Sequence, residues 1–170
     1  AVFGLALVVV PSRAQAHGAT LSYLDLNVEN ATVIGTLDLP VGEVERALNV
    51  DADRDGIASA GEIAAAGGSL GEWLGGTVRL VADGANCRSS PESAELRPNA
   101  VVSIRARWAC EGPPKNLYVA TRFQQALGDG HSIFVRVRRG EWSKQALLDD
   151  KTSATAIKLD EAQGAGAVAA

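Results

Sequence analysis

The segment from Asp51 to Glu62 sets oxygen-bearing residues at regular intervals: Asp51, Asp53 and Asp55 at the first, third and fifth places, Ser59 at the ninth and Glu62 at the twelfth. Gly56 stands at the sixth, where a sharp turn needs backbone freedom, and the carbonyl of Ile57 falls at the seventh. Hard divalent cations take six to eight oxygen ligands, and a long Glu can close such a shell with both of its oxygens. Three aspartates crowded around one point without a cation would repel one another, so the spacing predicts an occupied Ca²⁺ site, the alternative being a solvated acidic turn that shares only the pattern.

The arrangement is the EF-hand loop pattern. It departs from that pattern at the eighth place, where Ala58 replaces the usual β-branched residue and Ile57 sits one place early. The sequence contains no second loop to pair with it. An unpaired loop of this kind reads as a structural Ca²⁺ clamp, with extracellular modules binding in the range of about 10⁻⁴ to 10⁻³ M.

The two histidines define a second candidate. Cleavage of an export signal after Ala16 would make His17 the first residue, and a free α-amine beside an imidazole chelates Cu(II) or Ni(II). His131 is the other imidazole that such a site would use; the alternative reading makes it a rim residue bonded to a turn. Cys87 and Cys110 form an even pair, which in an oxidising compartment pairs by default as a disulfide. A metal pair or a reactive thiol is the alternative for them, and neither has the C-x-x-C spacing that would favour it.

Other chemistry is sparse. A triad from Asp129, His131 and Ser132 fails because adjacent strand residues point to opposite faces. No phosphate-cradling glycine loop and no H-E-x-x-H motif occurs, so a non-enzymatic domain is expected, with no small-molecule substrate identified. The chain of 170 residues carries 16 Lys and Arg against 20 Asp and Glu. That balance leaves no positive surplus for phosphates and argues against a nucleic-acid partner. Arg105, Arg107, Arg136, Arg138 and Arg139 could share a basic, solvated sheet face.

The elements that must position these residues are mostly strands. Apolar and polar residues alternate over Tyr23 to Val28 and Val33 to Leu39, predicting a hairpin turned at Glu29-Asn30. The clearest strand is Val101 to Cys110, with Val102, Ile104, Ala106 and Trp108 on one face and Ser103, Arg105 and Arg107 on the other. Further strands are expected at Thr77 to Ala82, Asn116 to Phe123, Ser132 to Arg139, Glu141 to Leu148 and Ala154 to Leu159. Helical spacing from Val41 to Gly75, with a break near Gly67-Gly68, predicts a helix–loop–helix insertion that carries the acidic loop. The fold class expected is mainly β: an immunoglobulin-like antiparallel sandwich with an EF-hand-like insertion at 41–75.

Both ends read differently. Val2 to Val10 is apolar but too short to span a bilayer, and the small-x-small Ala14-Gln15-Ala16 follows it, so residues 1–16 read as a secretory signal peptide. The domain then occupies 17–159, and the stretch 160–170, rich in Gly and Ala, reads as a linker or tail. Export to the periplasm or the outer face of a membrane follows.

His17 to Leu24, the strand to Leu37-Asp38-Leu39, Val44 to Leu48 leading into the acidic loop, the two cysteines and the Gly128 to His131 turn together resemble the exported N-terminal region of HupE/UreJ-like membrane proteins. The likeness covers most of 17–159, and the acidic loop is its sharpest part. It implies an extracytoplasmic domain attached to a membrane domain linked to nickel or other metal handling. After the signal the chain contains no apolar stretch of about 20 residues. The implied partner is therefore a membrane protein, or a C-terminal membrane domain missing from this chain. Nickel transport does not carry over with the resemblance, because its residues would lie in those helices.

Overall fold

The computed structural model describes residues 21–128 and 130–159. The predicted signal, His17 and the 160–170 tail lie outside the described residues. In chain order the elements are β1 (Leu21–Glu29), β2 (Thr32–Pro40), α1 (Val41–Leu48), α2 (Ala60–Ala65), α3 (Gly67–Thr77), β3 (Val78–Ala82), β4 (Ala85–Asn86), β5 (Arg88–Arg97), β6 (Val101–Ala109), β7 (Asn116–Thr121), α4 (Phe123–Leu127), β8 (Ser132–Arg139), β9 (Trp142–Leu148) and β10 (Ala154–Lys158). The protein is mainly β, with two sheets ordered β5-β6-β2-β1-β8-β9 and β10-β7-β3-β4.

Strict alternation explains the first sheet. Leu24 stands opposite Leu37 on one side and Val135 on the other, and Leu37 stands opposite Ile104. These residues and Trp108 are at most 1% exposed. The second sheet adds Leu80, Val119, Leu117 and Ile157 to the same core. Removing such side chains from water stabilises the fold by roughly 1.5 to 3 kcal/mol each.

The expected all-antiparallel pairing does not hold. β1 and β8 run parallel, from Leu21 opposite Ser132 to Asn27 opposite Arg138. A parallel neighbour needs a crossover rather than a hairpin, and here all of the chain from β2 to α4 separates the two strands. Alternation fixes which face is buried but not strand direction, so the sequence alone could not distinguish the two.

Strand β5, Arg88–Arg97, was not anticipated. Its residues are mostly exposed, with Ala94 its buried position. Helix α3 holds it in place through glycines. A Cβ built at Gly71 would lie 2.6 Å from the Pro91 Cβ, and one at Gly75 would lie 2.6 Å from the Ser89 Oγ. Removing those side chains lets the helix lie directly on the strand. The helical region breaks at Ala66, between α2 and α3, close to the expected Gly67-Gly68 break. The expected strand through Phe123 stops at Thr121 and gives way to α4.

Candidate metal centre

Helix α1 ends at Asn49, whose φ of 51° turns the chain out of the helix. Glu45, in that helix, accepts a 2.9 Å bond from the Asp51 backbone N–H through Oε2 and so fixes where the loop begins. Positive φ at Arg54 (62°) and Gly56 (89°) bends the chain back on itself. The bend lets the Gly56 N–H donate to Asp51 Oδ2 at 2.8 Å, closing the turn across five residues. The Asp55 N–H donates to Asp53 Oδ1 at 3.1 Å and the Ile57 N–H to Asp55 Oδ1 at 2.8 Å.

Asp51, Asp53 and Asp55 each bring one carboxylate oxygen to within 4.8 Å of the others, a cluster that could hold a metal ion. Asp53 and Asp55 are exposed, while Asp51 is 8% exposed. Asp51 Oδ1 is buried and has no hydrogen bond. The Asp55 N–H bond draws the Asp53 pKa down, but desolvation and the charges of Asp55 and Glu62 outweigh it and leave that pKa raised. Like charges held together have this effect.

Glu62 and Ser59 stand differently. Ser59 is the N-cap of α2 and forms a reciprocal capping box with Glu62. Glu62 Oε1 accepts from the Ala52 and Asp53 N–H groups at 2.7 and 3.2 Å, and Oε2 accepts from the Ser59 N–H and hydroxyl at 2.9 and 2.8 Å. These donors, the Ser59 backbone first, lower the Glu62 pKa to about 2. Glu62 thus ties the two ends of the loop together as a fixed anion. The Ile57 side chain is 68% exposed, so what this residue can offer a cation is its carbonyl.

His131, the residue before β8, is buried at 2% exposure, and Ile133 and Val135 within that strand are buried too. Its Nε2 lies 2.9 Å from Ser22 Oγ, and its Nδ1 lies 4.0 Å from Oε2 of Glu43. Glu43 is 4% exposed; its Oε1 accepts from Arg46 at 3.2 Å, and its Oε2 has no hydrogen bond. Burial lowers the His131 pKa from its ordinary value against the pull of Glu43, which favours the neutral ring. A serine, a histidine and a glutamate in line resemble a nucleophilic triad. Ser22 has no exposed surface, however, so the group is built as an interior polar cluster. His17, the other half of the predicted Cu(II) or Ni(II) pair, lies outside the described residues.

Cys87 and Cys110 form a disulfide between the start of β5 and the end of β6, which is consistent with an oxidising, exported environment. No helix among the described residues is long and apolar enough to cross a membrane. Of the arginines expected on one face, Arg136 and Arg138 share Asp25 and Arg105 and Arg107 share Glu92, so two carboxylates offset half of those four charges, and Arg139 donates to the Pro114 and Leu159 carbonyls. No family model and no curated protein matches the chain.

Proposed function

We propose that this chain is an exported, non-enzymatic calcium-binding domain serving as the extracytoplasmic part of a HupE/UreJ-like membrane assembly. On this reading the two sheets form an immunoglobulin-like sandwich, and α1, the acidic loop and α2 are an EF-hand-type insertion that clamps one Ca²⁺. The observation that carries the reading is Asp51, buried with Oδ1 lacking any donor beside two further aspartates. A buried acceptor left unsatisfied costs about 1 to 3 kcal/mol. A hard dication would answer that oxygen and the mutual repulsion of the three carboxylates together. The Ile57 carbonyl, Ser59 and Glu62 complete the proposed ligand set.

Support for the location comes from the disulfide and from the resemblance of 17–159 to the exported region of that family. The membrane partner is either a further segment of the same polypeptide or a separate subunit. The test is thermal unfolding in Ca²⁺ and in chelator. At about 10 mM Ca²⁺ and a Kd of 10⁻⁴ to 10⁻³ M, binding stabilises by roughly 1.4 to 2.7 kcal/mol. That raises the Tm by about 3 to 10 °C. Equal melting in Ca²⁺ and chelator would contradict the proposal.

A further inference from the structure

Glu45 lies outside the acidic loop pattern, in α1, six residues before Asp51. It joins that helix to the start of the loop through two bonds. Its backbone oxygen accepts the Asn49 N–H at 2.8 Å, and its Oε2 accepts the Asp51 N–H at 2.9 Å. The helix presents Glu45 from a fixed seat: Glu43 and Val44 are buried, and Val41 and Leu48 pack partly buried against the core. At about 3.6 residues per turn, Glu45 stands roughly 200° around the helix from Glu43. The side that seats α1 therefore leaves Glu45, half-buried, turned toward the loop.

The bond to Asp51 matters because of what else that residue does. Its Oδ2 is taken by the Gly56 N–H at 2.8 Å, while its Oδ1 is buried without a hydrogen bond. Asp51 is thus held at its backbone by Glu45 and at its carboxylate by Gly56, one point on either side of its rotatable bonds. Oδ1 is aimed before any ion arrives. Partners that orient a ligand in this way are worth about ten- to a hundredfold in metal affinity. Two properties of Glu45 separate in a test: the bond that it accepts and the negative charge that it places near the site. The C-terminal end of α1 already supplies a partial negative charge there, so the bond is the part that a substitution cannot replace.

We propose that Glu45 is a positioning residue of the calcium site, acting through the Asp51 N–H rather than as a ligand. This rests on the calcium reading above. The experiment is calorimetric titration of the full chain with Ca²⁺, with urea unfolding in chelator recorded for each variant. Glu45→Ala is expected to bind at least about tenfold more weakly than the parent. Glu45→Gln, whose side-chain oxygen accepts the same N–H, should stay within about threefold of the parent. Glu45→Asp keeps the charge but is one methylene too short for the bond, and should be about as weak as Glu45→Ala; it serves if the alanine variant fails to fold. Asp83→Asn, in the β3–β4 turn, is the control that loses stability while keeping the parent's affinity. Unaltered affinity in Glu45→Ala and Glu45→Asp would overturn the proposal. So would Glu45→Gln as weak as Glu45→Ala, which would assign the effect to charge, or an equal loss in Asp83→Asn, which would assign it to global stability. A parent that binds no Ca²⁺ overturns the calcium reading and this inference with it, whereas a parent that binds beside unaffected Glu45 variants overturns this inference alone.

Discussion

The hydroxyl of Ser22 lies 2.9 Å from Nε2 of His131, joining residues 109 apart in the chain at the parallel β1–β8 seam. Both residues are buried, so the bond takes the place of hydration that neither side chain can reach. Ser22→Ala removes it from a buried ring nitrogen and is expected to cost about 1 to 3 kcal/mol. Urea unfolding measures the loss; unchanged stability would show that the pair contributes nothing to the seam.

Two glycines of α3 are expected to respond with opposite sign. A Cβ at Gly71 would lie 2.6 and 2.8 Å from the Cβ and Cα of Pro91, whereas one at Gly68 meets nothing within 4 Å. Gly68→Ala should stabilise by up to about 1 kcal/mol through helix propensity. Gly71→Ala should lose that gain and about 1 to 3 kcal/mol of strain besides. Thermal melts of the two variants check the contrast, and equal shifts would mean that β5 is not held by close contact with the helix.

Asp83 gives the pH dependence. Its carboxylate accepts from the N–H groups of Lys115 and Asn116, each at 2.8 Å, and the first of these leads in lowering its pKa below the usual 3.8. A carboxylate whose folded pKa is depressed contributes stability that is fully present above its unfolded value and is lost as pH falls through the folded one. Asp83→Asn should therefore be less stable than the parent near neutral pH, with the gap closing below about pH 3.8. A gap that stays constant with pH would show that the charge has no part in it.

The acidic loop was legible in the sequence because its geometry is local: Asp51, Asp53 and Asp55 meet through turns of a few residues. The hairpin strands and β6 were legible because their faces alternate. Ser22, Glu43 and His131 were not, since strand pairing between distant segments brings them together and no periodicity marks them. β5 was hidden because Ala94 is its one buried residue, the strand being held by its ladder to β6 and by close contact with glycines of α3, and α4 because five residues are too few to establish a helical period. Glu62 shows a subtler limit. Its position in the pattern suggests a ligand alone, whereas the structure makes it the capping-box partner of Ser59 at the start of α2 and the tie across the loop. Truncating it would therefore destabilise the loop with or without a cation.

That dual role determines how the calcium proposal is best measured. Asp53→Asn with Asp55→Asn keeps side-chain oxygens able to accept the Asp55 and Ile57 N–H bonds while removing two charges. Calorimetric titration of the parent with Ca²⁺ should give one site per chain. The double variant should bind at least about tenfold more weakly, and in chelator it should melt no lower than the parent because a repulsion has been relieved. Equal Ca²⁺ affinity in parent and variant, or no binding by the parent, would contradict the account.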